Sequence, residues 1–155
     1  MARLSVNPLG RQTMLNPNFP VVAGEYALTP EWTLTLPGEF SRRFEDQDLV
    51  IWRPGITLWI AVWGNDEQET PDQRLSDIVD GIDVGAFDLV TEREGEICRF
   101  RYRLNEEATD RRVAPFYCFA VGNSGHVQLA IYFDAEGDLT VAEMLWRSLR
   151  ENPAP

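Results

Sequence analysis

The sequence contains one histidine and two cysteines, so nucleophilic or metal chemistry of the common kinds would have to use His126, Cys98 or Cys118. A predicted hairpin brings Cys118 and His126 onto neighbouring strands. With Asn123-Ser124 as its turn, the two side chains project from opposite faces, which separates a thiol from its base. The cysteines and the histidine also lack the close spacing of zinc ligands. We expect no catalytic residue, no metal, and a histidine that faces solvent or adjoins the turn.

Other motifs with a known chemical role are missing from the sequence. It has no lysine and no phosphate-binding loop, no dinucleotide-binding glycine pattern and no nucleophile elbow. Asp134, Glu136 and Asp138 alternate like the start of a calcium loop, but the central glycine and the closing glutamate are out of place. We read these acids as a turn before the last helix, and we predict no cofactor.

The charge of the chain limits its partners. A net charge of −11 repels nucleic acid phosphates and anionic lipids, so we expect neither as a partner. The first twenty residues are interrupted by Pro8, Pro17 and Pro20, and no later run is apolar enough to span a membrane. These features predict a cytoplasmic protein in which both cysteines are free, buried thiols.

The distribution of charge also indicates how the chain is organised. Residues 1–24 contain Arg3 and Arg11 but no acid, whereas the remaining residues carry all 25. We predict that 1–24 are a loosely ordered arm that docks on its own domain or on a neighbouring subunit, so a homodimer stays open. Residues 25–150 are predicted to form one domain, and 151–155 a C-terminal tail.

Alternating apolar residues predict most of the secondary structure. Trp32, Leu34 and Leu36 indicate a strand that turns at Pro37-Gly38. Three hairpins are predicted, with their turns at Pro54-Gly55, Glu94-Gly95 and Asn123-Ser124. One helix begins at the N-cap Thr70, and a second begins at a Thr140–Glu143 capping box and runs to about Arg150. The predicted class is α+β, with a mainly antiparallel sheet of about six to seven strands flanked by two helices.

The hairpin around Pro54-Gly55 has two apolar faces. Aligned about its turn, it places Leu49, Ile51, Leu58 and Ile60 on one face, and Val50, Trp52, Trp59 and Trp63 on the other. We call Trp52, Trp59 and Trp63 the tryptophan face. Because both faces are apolar, we expect a helix over each. A tryptophan face that is covered is core, and one that is partly open is a binding surface with Arg53 at its rim.

A second candidate surface is an arginine stripe, made of Arg99, Arg101 and Arg103. These residues alternate with apolar ones and so project from one face of a single strand. Aligned across Glu94-Gly95, Asp88 lies opposite Arg101 and Val90 opposite Arg99, with Glu92 on the same face. The stripe is therefore either a charge ladder on the surface or an acceptor for an acidic partner.

The order of elements, the segment Trp32-Thr33-Leu34-Thr35-Leu36-Pro37 and the closing helix with Leu145-Trp146-Arg147-Ser148-Leu149 resemble the PsbP-like and Mog-like fold. This fold includes bacterial DcrB-type proteins and the Eag chaperones of type VI secretion effectors. The resemblance covers roughly residues 25–150 and implies a binding or accessory protein of the same sandwich architecture. It transfers no catalytic residue.

Three functional classes follow from the sequence. The favoured one is a non-catalytic module that binds another protein, such as a bacterial secretion-effector chaperone or a toxin immunity protein. The second is a protein that binds a small apolar ligand through its aromatic residues, in which case a deep, closed pocket is expected. The third is an enzyme around His126, in which case a cleft joins His126 to a buried carboxylate.

Overall fold

The computed structural model describes residues 3–4, 18–107 and 113–153. Within them the chain forms one antiparallel sheet of ten strands and two α-helices. The strands are β1 (Arg3–Leu4), β2 (Val21–Thr29), β3 (Trp32–Glu45), β4 (Asp48–Arg53), β5 (Ile56–Gly64), β6 (Phe87–Glu94), β7 (Ile97–Arg103), β8 (Phe116–Gly122), β9 (Gly125–Phe133) and β10 (Arg150–Glu151). The helices are α1 (Pro71–Asp80) and α2 (Leu139–Ser148), the latter preceded by a 3₁₀ turn, Glu136–Asp138. The α+β class and the antiparallel sheet with two helices are confirmed, but six to seven strands is too few.

The additional strands lie mostly at the two ends of the chain. β1 and β10 have two residues each, which is too short for an alternating pattern to reveal. β2 begins at Val21, within the predicted arm, and β10 reaches Glu151, within the predicted tail. The other residues predicted for these segments, 5–17 and 154–155, lie outside the described residues.

The strand β3 continues through Pro37-Gly38, where the sequence predicted a turn. Its pairing with β2 shifts between Val22↔Phe40 and Gly24↔Leu36, and Gly38 has a φ of 100°. Proline has no N–H for the ladder and glycine tolerates this backbone, so the strand bulges instead of reversing. From Ser41 onward β3 pairs with β4.

Two of the three predicted hairpins are confirmed in turn and register. Leu49 pairs with Ile60 around Pro54-Gly55, and Gly122 pairs with Gly125 around Asn123-Ser124. The helix α1 also begins as predicted. The Thr70 side chain accepts a hydrogen bond from the Gln73 amide, and the Gln73 side chain accepts one from the Thr70 amide.

The remaining hairpin and the last helix differ from prediction. Glu94 pairs with Ile97, so the turn is Gly95-Glu96 and the register moves by two positions. Gly95 takes the left-handed conformation, with a φ of 60°, at the first turn position. The helix α2 starts at Leu139 and has no side-chain cap, because the 3₁₀ turn before it leads directly into the helix. The predicted Thr140 capping box is therefore wrong.

Two four-stranded meanders share the sheet. β2 to β5 form the first and β6 to β9 the second, and β5 pairs with β9 to give the order β10-β3-β4-β5-β9-β8-β7-β6, with β2 on the other edge of β3. The two helices pack on opposite faces. α2 buries Ala142, Leu145 and Trp146 in the larger core, while α1 covers a smaller core built around Phe100 and Phe119.

The junction between the meanders requires a glycine at position 125. Gly125 pairs with Gly64 and has a φ of 136°. A Cβ atom built on Gly125 would lie 1.9 Å from the carbonyl oxygen of Trp63, which is backbone that cannot move aside without breaking the pairing. Gly137, in the 3₁₀ turn, has nothing within 4 Å of such an atom.

We predict that Gly125→Ala lowers the free energy of unfolding by on the order of 3 kcal/mol, since it combines backbone strain with a steric clash. The control Gly137→Ala is expected to change it by less than about 0.5 kcal/mol. Urea unfolding followed by tryptophan fluorescence measures both. Equal stabilities of the two variants would show that the junction tolerates a side chain.

Candidate binding surface

The tryptophan face lies on the side of the sheet opposite α2. Along β5, Leu58, Ile60 and Val62 are fully buried. Trp59 and Trp63, which alternate with them, are partly exposed to solvent. Trp52 on β4 is also partly exposed. α1 packs mainly on β7 and β8, at the other end of the sheet. We expected a helix over each apolar face. α2 covers one face as expected, whereas α1 covers only part of the other.

A cation covers part of the open tryptophan face. The guanidinium of Arg43 lies 4.9 Å from the ring centre of Trp52 and 5.7 Å from that of Trp59. Its Nη2 also donates to Glu45 on the same strand, at 3.2 Å. Such stacking stabilises a partly desolvated cation against an aromatic ring. The face is therefore amphipathic, with flat apolar rings and a charged group among them.

A depression separates two of the tryptophans. It has a volume of about 210 Å³ and is lined by Arg3, Asp48, Trp59, Ala61, Trp63, Gln128 and Ala130. The two alanines form its floor because they lie on adjacent strands between larger side chains. The volume is below the range of about 300–1,000 Å³ that is usual for small-molecule sites. The depression suits a single protruding side chain.

A shallow groove of about 370 Å³ continues from Trp63 towards α1. Its apolar walls include Ile78, Ile82, Tyr102 and Phe119, and its rim carries the exposed acids Asp77 and Asp83. His126 also lines it. The depression and the groove adjoin each other, because Trp63 and Gln128 line both.

The histidine in this groove is held from α1. Arg74, which is 1% exposed, donates from Nη1 to His126 Nδ1 at 3.1 Å and from Nη2 to Asn65 Oδ1 at 2.9 Å. A guanidinium can only donate, so Nδ1 accepts and the neutral ring carries its proton on Nε2. The ring of Trp63 stacks on His126, at 6.0 Å between centroids. α1 therefore positions Trp63 through His126.

The environment of His126 disfavours acid–base chemistry. Burial, with the neighbouring Arg74 charge, lowers the pKa of His126 to about 3. The carboxylates that share its groove, Asp77 and Asp83, are exposed and not buried. The cleft expected for an enzyme is thus not found among the described residues. His126 adjoins the hairpin turn as predicted, but it is buried and does not face solvent.

The arginine stripe projects from one face of β7, as predicted, but it is not a ladder on the surface. Arg99, Arg101 and Arg103 are at most 7% exposed and lie on the side of α2. With the shifted register, Glu92 pairs with Arg99 and Val90 with Arg101. Asp88 still reaches Arg101, at 2.6 Å, because β6 is irregular between Phe87 and Val90.

The three arginines follow α2 from its beginning to its end. Arg103 pairs with Glu136 in the 3₁₀ turn, and Arg101 lies 4.0 Å from Glu143. Arg99 donates to the carbonyl of Leu149 at the C-terminus of α2, at 2.9 Å, where a cation is favoured. Acceptors of the same chain therefore engage the stripe, and they give it a structural role in seating α2.

Arg53 does not belong to the rim of the tryptophan face. It pairs with Ile56 and so projects from the opposite side of the sheet. There it donates to the carbonyl of Pro37 at 2.9 Å and stacks over Phe40 at 4.8 Å. Arg43 lies on the tryptophan face, where Arg53 was predicted to lie. The sequence pointed to a turn before residue 39, so the second half of β3, which carries Arg43, was not predicted.

The cysteines are separated and unreactive. Both are free thiols, as predicted. Cys118 lies in the α2-side core and Cys98 in the smaller core beneath α1. Burial raises the pKa of the Cys118 thiol well above its usual value. The predicted separation of Cys118 and His126 onto opposite faces is also confirmed.

Among the described residues, no group of three or more histidine, cysteine, aspartate or glutamate side chains could hold a metal ion. No helix within residues 18–107 and 113–153 is long and apolar enough to cross a membrane. Comparison of the chain with family models, with curated proteins and with solved structures gave no match.

The depressed pKa of His126 predicts a pH-dependent stability. Below pH 6.5 His126 is protonated in the unfolded chain, but in the folded chain it stays neutral down to about pH 3. The free energy of unfolding therefore falls as the pH falls. Between pH 7.5 and 4.5 this group alone should remove about 3 kcal/mol from the free energy of unfolding. His126→Gln keeps an acceptor for Arg74 but does not titrate.

The measurement is urea unfolding of both proteins across this pH range, because the contributions of the carboxylates cancel in the difference. The wild type should lose about 3 kcal/mol more than His126→Gln. Parallel pH profiles would contradict the buried, neutral state of His126.

Proposed function

We propose that this protein is a non-catalytic module that binds a segment of another protein through the tryptophan face. The observation that carries the proposal is the open position of Trp52 and Trp59 on strands whose apolar residues on the other face, such as Ile51 and Leu58, are fully buried. Each of the three tryptophans is partly exposed, so together they present more apolar surface than a single scattered residue does. Aromatic residues with a nearby arginine are the composition of interface centres.

The shape of the surface favours a protein segment as the ligand. The depression between Trp59 and Trp63 accepts one side chain, and the groove beyond it extends the contact towards α1. A chain laid across both would bury side chains at intervals, as an extended or helical segment does. A secretion-effector chaperone and a toxin immunity protein, the two roles suggested by the sequence, each need such a receiving surface.

Binding of a small apolar ligand is the second candidate. On the tryptophan face, the groove beside α1, at about 370 Å³, reaches the size of usual ligand sites, and its apolar walls suit such a molecule. The groove is shallow and carries exposed acids along its rim, however, whereas small-molecule sites enclose most of the ligand. A protein segment therefore fits the whole surface better.

We predict that Trp59→Ala weakens binding of the partner by at least about 30-fold, equal to about 2 kcal/mol, while costing less than about 1 kcal/mol of stability. The reason is that Trp59 is partly exposed in the free protein and becomes desolvated only in the complex. A photo-crosslinking residue at position 128, on this surface, identifies the partner, and calorimetry with the purified partner gives the affinities.

Met144→Ala is the control, because Met144 is exposed on α2, on the other side of the sheet. It should leave both affinity and stability unchanged. The proposal fails if Trp59→Ala costs about 3–5 kcal/mol of stability and leaves the affinity intact, as expected for a core residue.

A further inference from the structure

One edge of β5 extends past its neighbour. β4 pairs with β5 only as far as Leu49↔Ile60, so the last residues of β5 have no partner from β4. An uncovered strand edge presents backbone N–H and C=O groups that bind another extended segment. In this structure β1 fills part of the gap, with Arg3 opposite Trp63 and Leu4 opposite Val62.

The side chain of Arg3 fits this gap chemically. Its guanidinium lies 5.8 Å from the ring centre of Trp63 and forms an ion pair with Asp48, the first residue of β4. Arg3 and Asp48 also form walls of the depression on the tryptophan face. The Trp63 ring, the Asp48 carboxylate and the edge of β5 together form a site that binds one arginine in an extended segment.

The same arm touches the tryptophan face a second time. Phe19, just before β2, packs edge-on against Trp52, at 5.0 Å between ring centroids. Arg3 and Phe19 therefore contact the two outer members of the tryptophan face.

We propose that β1 is an intramolecular ligand of this site, and that the partner's segment is an extended strand whose arginine replaces Arg3. This inference rests on the proposed function, because it names the partner's chemistry at the same surface. β1 contributes only two paired residues, and its ion pair is partly exposed to solvent, so it is weakly held and replaceable. The acidic charge of the protein further favours a basic segment.

The pairing also defines the sequence that such a segment carries. Its arginine lies opposite Trp63, on the tryptophan face. The next residue lies opposite Val62, which is fully buried, and is therefore apolar. The expected motif is an arginine followed by an apolar residue, in antiparallel orientation to β5.

The test uses a fluorescently labelled peptide that copies residues 1–8 and full-length protein with Arg3→Glu. In the wild type the tethered segment competes at a high effective concentration, so the free peptide binds weakly. Arg3→Glu repels Asp48 and vacates the site. Fluorescence polarisation should then show the peptide binding at least 10-fold more tightly to Arg3→Glu than to the wild type.

Three controls complete the experiment. Arg11→Glu, which changes the charge of the same arm equally, should behave like the wild type. A peptide with Arg3→Ala should bind Arg3→Glu protein at least 10-fold more weakly. Adding Asp48→Asn to Arg3→Glu should weaken binding of the original peptide to a similar degree.

The inference is overturned if the peptide binds Arg3→Glu and wild type equally, or if neither binds it at millimolar concentration. It is also overturned if light scattering finds a wild-type dimer that Arg3→Glu converts to monomer, since the arm would then occupy a second copy. Tight peptide binding with no effect of Trp59→Ala on the partner would instead refute only the proposed function.

Discussion

The pairing of β5 with β9 is the interaction on which the rest of the structure depends. Nine consecutive residue pairs, from Ile56↔Phe133 to Gly64↔Gly125, join the two meanders, which the segment carrying α1 connects in sequence. The pairing sets Trp59 beside Ala130 and Trp63 beside His126. The depression and the groove both exist because these neighbours differ in size. The close approach at Gly125 is the steric requirement that this junction places on the sequence.

The open surface follows from a mismatch between the sheet and its helices. Eight strands side by side span about 34 Å, whereas a helix is about 10 Å wide with its side chains. On the α2 side, the first half of β3 and its partner β2 add to the cover, since Leu28, Trp32 and Leu34 are buried in that core. On the other side α1 has no such help. The tryptophan face remains open, and arginine side chains stack on it in place of a helix.

Arginine has two roles in this acidic protein, and burial separates them. The arginine stripe lies beneath α2, where each side chain meets a carboxylate or carbonyl of the same chain. The four residue steps from Arg99 to Arg103 span about 13 Å, close to the length of about 15 Å of a ten-residue helix, so the stripe and α2 match in length. Arg43 and Arg3 instead stack on partly exposed tryptophans. In the proposed mode of binding, this second pair exchanges its contacts with those of a partner.

The sequence was sufficient to predict the elements that depend on interactions between residues close together in the chain. The capping box at Thr70, the turns at Pro54-Gly55 and Asn123-Ser124, and the alternation that puts Trp52, Trp59 and Trp63 on one face are all present as predicted. Each depends on residues close together in the chain. Tertiary structure decided the rest. The arginine stripe is buried because α2 packs on its side of the sheet. The bulge at Pro37-Gly38 lets β3 continue to Arg43, and the pairing of β1 with β5 places Arg3 beside Trp63. These contacts join residues distant in sequence, and their free energies depend on burial and charge that arise only once the sheet has closed.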